Sequence, residues 1–422
     1  MAQAQQKSQS FVMAIAFIGL MFFAIGFAFG INGFLAGPLN SLYGISKLLG
    51  YLVLGLSFLP FLLFAKPATA PIKKIGYKKT MALSFVFFAV SVALYAVAAS
   101  MGQGGLTLFY ISAFVGGIGN AFLNATANPY ISVIGPIDSA AKRICVMGIC
   151  NKLAYPVSIV FFGVLMSALG LGKEITEFSQ MVTPFYIIMG IFLLLGLVTL
   201  VMPLPEVKAE GEDEDSAVAE SGYAAGKTSI MQFPHAIMGA LALFIYTGVE
   251  TMSLNTASEF VGLNSALDSV EILGKSLVIW FPSFGMVLGY LLGVVMIPKV
   301  MSQATALRVC SSIGALGSIG MILGSLNVGI PASVAPWLLL VVAFGCSMGA
   351  PAIWPLSLKD LGKFTKTGSA LLTMGIAGGA VFPPLFGLLA DKYNAQVGYW
   401  LCLPCFLFIL YFAVAGYKLR RK

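Results

Sequence analysis

Runs of roughly 20 or more apolar residues recur along this chain with only short polar breaks between them, and few folds accommodate that pattern. A helix crossing a bilayer core of about 30 Å needs about 20 mostly apolar residues. Backbone N–H and C=O groups in lipid must be bonded inside their own segment, so each run is expected to be a helix. Apolar length and polar punctuation predict twelve spans, at 11–36, 47–68, 81–100, 105–134, 144–170, 180–203, 233–256, 272–297, 304–326, 331–356, 366–390 and 395–417. Composition excludes a water-soluble alternative. Hydrophobic residues make up 59% of the chain and charged residues 9%, against about 25% charged in an ordinary globular domain. The first run far exceeds the about 7–15-residue core of a signal peptide and is expected to remain as a span.

The expected class is therefore an all-α membrane protein with twelve transmembrane helices, six on each side of a polar break. The break runs from Glu206 to Lys227 and carries Glu210, Glu212, Asp213, Glu214, Asp215 and Glu220. A stretch this acidic and this poor in apolar residues reads as a flexible interdomain loop. The chain divides into a short N-terminus (1–10), a first six-helix bundle (11–203), an acidic linker (204–232), a second bundle (233–417) and a basic tail (418–422).

The net charge of +8 does not call for nucleic acid, because the Lys and Arg residues sit in short loops and at the C-terminus. There they act as topology signals beside anionic headgroups. With the N-terminus in the cytoplasm, the inner loops and termini hold Lys7, Lys66, Lys73, Lys74, Lys78, Lys79, Lys142, Arg143, Lys208, Lys227 and Lys299. Arg308, Lys359, Lys363, Lys366, Lys418, Arg420, Arg421 and Lys422 fall on the same side, and only Lys47, Lys173, Lys275 and Lys392 fall outside. Both termini are expected to be cytoplasmic, in a bacterial inner membrane. The six cysteines, Cys145, Cys150, Cys310, Cys346, Cys402 and Cys405, lie inside apolar runs and read as small buried hydrophobes. No metal site is expected, since His235 is the only histidine and no cysteine cluster accompanies it. It reads as an interfacial residue at the inner end of span 7.

The two halves echo one another. Span 5 contains Met147-Gly148-Ile149 and then Tyr155-Pro156, and span 11 contains Met374-Gly375-Ile376 and then Phe382-Pro383 at the same internal spacing. Weaker matches pair Gly30-Ile31-Asn32 with Gly248-Val249-Glu250, and Asn128-Pro129 with Trp354-Pro355. Matches in one order support a parallel duplication, with two bundles facing each other across a central cavity.

Residues 124–136 (NATANPYISVIGP), 143–152 (RICVMGICNK) and 362–380 (GKFTKTGSALLTMGIAGGA) carry a further likeness, supported by 29–33 (FGING) and 246–250 (YTGVE). In these segments the chain resembles the fucose and glucose/galactose permease family of the major facilitator superfamily. The resemblance implies the major facilitator fold and secondary active uptake of a hexose-type sugar, such as glucose, galactose, mannose, fucose or N-acetylglucosamine. It also implies coupling to a cation, Na⁺ or H⁺, with no cofactor. It places a substrate-binding Asn at Asn151. Fucose-type relatives carry acids where this chain has Gly33 and Asn124, and glucose/galactose-type relatives tend to carry one where it has Asn255.

An ionisable side chain near the bilayer centre costs at least about 2.5–3.5 kcal/mol on insertion scales, so each needs a reason. By this span assignment, Glu250 and Lys152 are the two that lie clearly away from the span ends. Glu250 is read as a coupling carboxylate that either protonates or ligates Na⁺, or else as a structural carboxyl that caps a neighbouring helix end or pairs with a fixed cation. Lys152 either snorkels to the inner interface or faces the cavity and donates to sugar hydroxyls. A sugar needs groups that donate and accept, with aromatic faces for its apolar side. The candidates are Asn32, Asn124, Asn128, Asn151 and Asn255, with Tyr246, Trp280 and Trp354 as platforms. Pro129, Pro156, Pro355, Pro383 and Pro384 are expected to kink helices and help the bundles rock. The basic turn at Lys66 to Lys79, with Asp360 as a partner in the second half, is a candidate gate. No nucleophile and base pair, nucleotide loop or metal set indicates an enzyme. A working monomer in lipid is expected, and a drug or metabolite exporter of the same fold is the alternative reading.

Overall fold

A computed structural model of the chain describes residues 2–65, 67, 69–133, 140–172, 175–203, 223–297 and 299–421. Among them are twelve helices of membrane length: span 1 (Val12–Tyr43), span 2 (Lys47–Phe64), span 3 (Ala70–Ser100), span 4 (Gly102–Asn128), span 5 (Arg143–Ala168) and span 6 (Ser179–Val201). The second six are span 7 (Pro234–Asn255), span 8 (Leu277–Met296), span 9 (Gln303–Ser325), span 10 (Ala332–Leu358), span 11 (Gly362–Lys392) and span 12 (Ala395–Leu419). Most of the acidic linker (204–222) lies outside the described residues, as do Lys66, Lys173, Lys208 and Lys422.

Most predicted boundaries lie close to these, and the departures have physical reasons. Span 1 runs on through Pro38 to Tyr43. Polar Asn40 and Ser41 read as punctuation, but Leu35, Ala36 and Leu39 are buried against neighbours and hold the helix past it. Span 8 starts at Leu277 rather than 272, because Glu271–Ile272 and Lys275–Ser276 pair as a small antiparallel hairpin. Its two turn residues, Leu273 and Gly274, both take positive φ, as a tight hairpin requires. Span 3 bends at Gly76, whose φ of 79° and ψ of 170° interrupt the helix before the apolar run.

Proline position explains the breaks in spans 10 and 11. Span 10 is interrupted at Ser347 and Met348, between Ala335–Cys346 and Gly349–Leu358. The cause is Pro351, which has no N–H to offer the carbonyl four residues back at Ser347. Pro355, the residue singled out from the sequence, lies within the helix that follows. Span 11 loosens into a 3₁₀ turn over Ile376–Ala380, directly ahead of Pro383 and Pro384. Pro156 sits inside an unbroken helix, Ala140–Ala168.

Spans 1 to 6 pack mainly among themselves, as do spans 7 to 12. The seam between the halves is formed by span 5 against span 8 and by span 2 against span 11. A Cβ at Gly379 would meet the ring of Phe58 at 2.6 Å, so span 2 seats an aromatic directly on the span 11 backbone. Phe58 in turn stacks on Phe29 of span 1 with ring centroids 4.0 Å apart. The six cysteines are free, and all but Cys150 are fully buried.

Candidate functional site

The two ionisable residues singled out from the sequence meet each other across this seam. At 1.5 Å per residue, Lys152 lies about 14 Å along span 5 from Arg143, and Glu250 about 24 Å along span 7 from Pro234. Lys152 Nζ is 3.0 Å from Glu250 Oε1, and the two residues are only 6% and 8% exposed. Lys152 therefore does not snorkel to an interface.

Neighbouring groups fix both ends of the pair. Tyr246 stands one turn before Glu250 on span 7, and its hydroxyl donates to the same carboxylate oxygen. Asn151 Oδ1 accepts from Lys152 Nζ at 3.0 Å, while Asn151 Nδ2 donates to the Phe22 carbonyl of span 1 at 3.0 Å. The amide is thus turned with its oxygen toward the ammonium. Ser283 Oγ of span 8 donates to the Lys152 carbonyl at 2.7 Å, and the Tyr155 ring centroid is 5.8 Å from Nζ. Tyr290 of span 8 faces both Tyr246 and Glu250.

Glycine gives these tyrosines their room. A Cβ at Gly148 would lie 2.8 Å from the Tyr290 ring, and one at Gly349 would overlap the Tyr246 ring. Gly148 belongs to the duplicated Met-Gly-Ile motif, so the repeat marks a helix contact beside the site.

The remaining sequence-predicted residues lie apart from this cluster. Asn32 accepts from the Tyr95 hydroxyl at 2.7 Å inside the first half, where it lines a cavity of about 20 Å³ with Ser91 and Asn120. Asn124 and Asn128 form an amide ladder along span 4: Asn124 Nδ2 donates to the Asn120 carbonyl at 3.0 Å, and Asn128 Nδ2 to Asn124 Oδ1 at 3.2 Å. Asn255 Nδ2 donates to the Thr251 carbonyl at 2.8 Å, and its side chain covers Gly33 of span 1. Trp280 is buried at the start of span 8 with its ring 5.9 Å from that of Phe284. Trp354 is half-buried in the second part of span 10. Tyr155, Tyr290 and Ser283 were not singled out. Tyr155 stood in the repeat motif, and Tyr290 lies in a glycine-flanked segment, Gly289 to Gly293, that signals close packing.

Charge also links the halves at the end of the bundle remote from the chain termini. Lys47 at the start of span 2 pairs with Glu259, just beyond span 7. The Tyr51 hydroxyl donates to Glu259 Oε1 at 3.3 Å, and the Leu48 N–H donates to Asp391 Oδ2 of span 11 at 3.2 Å. This is the opposite end from the Lys66 to Lys79 turn expected to gate. At the terminal end, His235 lies in the first turn of span 7, buried within the protein, with Nε2 2.9 Å from the Lys359 carbonyl. Residues Tyr223, Ala224 and Phe233 pack over it, so the last part of the predicted linker is part of the folded second half.

Twelve spans in two seamed halves, with a buried ion pair across the seam and a second ion pair joining the halves at one end, define a polytopic helical membrane protein. The family model of the Major Facilitator Superfamily matches residues 17–376, and the chain belongs to that superfamily. Over 419 residues it is 25% identical to a glucose/galactose transporter of Brucella abortus, covering 98% of this chain and 96% of that protein. An L-fucose-proton symporter of Escherichia coli is 24% identical over 430 residues, covering 96% and 94%. Among solved structures, the E. coli fucose:proton symporter superposes with a TM-score of 0.68 at 22% identity, covering 96% of this chain and 98% of that one. A proton:xylose symporter superposes at 0.67 with 14% identity. These last two likenesses concern the fold.

Proposed function

We propose that this protein is a secondary active transporter that takes up a hexose-type sugar together with a cation. It would lie in a bacterial inner membrane with both termini in the cytoplasm. The observation that carries the reading is the Lys152–Glu250 pair, which joins the two halves inside the bundle. Removing one partner from a buried pair costs about 3–5 kcal/mol, because the other charge is left unpaired. A substrate that opens the pair must therefore supply replacements. A sugar hydroxyl does so from one group, donating to Glu250 while accepting from Lys152. Asn151 and the hydroxyls of Tyr246, Tyr155 and Tyr290 extend the same dual-function lining. An exporter of apolar compounds has no use for so many hydrogen-bonding groups.

The names of the relatives agree with this reading, since they are glucose/galactose and fucose transporters. With the termini inside, the Lys47–Glu259 latch closes the outer end, and uptake alternates between this arrangement and one in which the latch is open. The test is uptake of labelled glucose, galactose, mannose, fucose and N-acetylglucosamine into proteoliposomes, with proton and Na⁺ gradients imposed separately. At least one sugar should accumulate, and failure of every sugar under both gradients sinks the proposal.

A further inference from the structure

Lys152 is held to the second half twice, once through its side chain and once through its backbone. The second tie begins with Pro156. A proline inside a helix has no N–H to give the carbonyl four residues back, and here that carbonyl belongs to Lys152. The helix nevertheless runs unbroken from Ala140 to Ala168. A donor comes instead from across the seam: Ser283 Oγ of span 8 donates to the Lys152 oxygen at 2.7 Å, and the serine is only 1% exposed.

Other serines in these spans behave differently. Ser57, Ser84, Ser311 and Ser318 donate to carbonyls of their own helices. Nor does the fold supply a hydroxyl wherever a proline orphans a carbonyl at the seam. In span 11, Pro384 takes the helical donor from Ala380, whose oxygen lies 2.7 Å from where a Cβ on Gly55 of span 2 would stand. Gly55 offers that oxygen only a C–H, a far weaker donor. The two contacts that join the halves thus share the proline and differ in the hydroxyl.

Resting on the reading of this chain as a sugar transporter, we propose that the main-chain carbonyl of Lys152 is a sugar-binding acceptor, which Ser283 of the opposite half covers until the halves part. Ser283 lies six residues, about 9 Å, from the start of span 8 at the latch end. Opening the latch therefore draws its hydroxyl off span 5. The carbonyl is then left with neither a helical donor nor a seam donor, and a sugar hydroxyl takes the place of Ser283. A compound without a hydroxyl there leaves a buried carbonyl unpaired, so the site selects for polyols over apolar cargo. Closing the latch returns Ser283 to the carbonyl, and the sugar loses this contact as it leaves at the other end.

The experiment uses the full chain, and its first readout needs no sugar. Spin-label distances between spans 5 and 8 at the latch end report how far the seam has parted. Ser283→Ala leaves the carbonyl unpaired in the closed arrangement and should shift the balance toward the parted one by about 5- to 150-fold. Ser283→Thr, which keeps the hydroxyl, should stay within about threefold of wild type. Pro156→Ala restores the helical N–H, so adding Ser283→Ala to it should shift the balance by no more than about threefold. Counterflow of glucose, galactose, mannose, fucose and N-acetylglucosamine in proteoliposomes then identifies the sugar carried. No counterflow of any sugar removes the transporter reading, whatever the seam measurement shows. The carried sugar should bind Ser283→Ala more tightly than wild type, because the covering group is gone. Among its singly deoxygenated analogues, one should bind wild type about tenfold or more weakly than the parent, yet bind Pro156→Ala within about threefold of it. Should Pro156→Ala fail to fold, the seam shift and the tighter sugar binding of Ser283→Ala still decide. An unshifted seam or weaker sugar binding in Ser283→Ala, an equal shift in both backgrounds, or deoxy-sugar losses unchanged by Pro156→Ala overturns the proposal.

Discussion

Lys47 and Glu259 lie 212 residues apart in sequence and form an ion pair that fastens the first half to the second at one end of the seam. Their side chains are 33% and 20% exposed, so the attraction is screened and worth no more than about 1 kcal/mol. Lys47→Gln should therefore shift the balance toward the state open at this end by about fivefold, and less at high salt. Spin-label distances across the latch would show it. Exchanging the charges, Lys47→Glu with Glu259→Lys, should restore the wild-type distribution, and an unchanged distribution in the single variant would remove the latch role.

Gly33 of span 1 lets the two halves approach closely inside the bundle. A Cβ at this position would overlap Asn255 Oδ1 at the far end of span 7. Overpacking of this kind costs about 1–3 kcal/mol, and only the closed arrangement bears the cost. Gly33→Ala should lower sugar transport by about tenfold or more while leaving thermal stability in the state open at this end little changed. Asn255→Ala in the same chain should rescue it. A double variant no better than the single one would show that the two residues do not meet during transport.

Much of this architecture was legible in the residues because the bilayer imposes length and hydropathy locally. Twelve runs become twelve spans with no knowledge of what packs on what. Glu250 was legible for the same reason, as a charge in an apolar run. Its partner was not, since snorkelling and pairing leave the same mark at Lys152, and only the approach of span 5 to span 7 decides between them. Amides fared worst. Asn124 and Asn128 bond along their own helix, Asn32 bonds to Tyr95, and Asn120 was not singled out, because which face of a buried helix meets a cavity depends on neighbours that the sequence does not name. A kink was expected at Pro355, whereas the break in span 10 falls where Pro351, one turn earlier, leaves the Ser347 carbonyl without its helical donor.

Tyr246 contributes one hydrogen bond to Glu250 and packs against the backbone of Gly349. Tyr246→Phe keeps the packing and removes only the donor. A hydrogen bond to a charged group is worth about 1.5–3 kcal/mol, which corresponds to a loss of about 10- to 150-fold in the ratio of maximal rate to half-saturating sugar concentration. Initial-rate uptake across sugar concentrations measures it. Wild-type kinetics in this variant would mean that the phenol does not act on the carboxylate during transport.

Asn120 makes the most specific claim on the first half. It is fully buried, and neither Nδ2 nor Oδ1 meets a partner among the described residues. Each unsatisfied buried group costs about 1–3 kcal/mol, so a native side chain rarely stays in that condition. The cavity beside it measures about 20 Å³ and is also lined by Ser91, Tyr95 and Asn32. About 10–15 Å³ on this measure holds one water. Water suits the amide better than a metal cation does, because it donates to Oδ1 and accepts from Nδ2, whereas a cation faces the N–H hydrogens. A high-resolution structure should show one ordered water within hydrogen-bond distance of both atoms. Asn120→Leu, of similar volume, should expel it and leave the melting temperature no lower than wild type, because the need for a partner leaves with the amide. Density that replaces Na⁺ by a heavier monovalent ion at this position, or a large loss of stability in Asn120→Leu, would show that the amide holds something other than water.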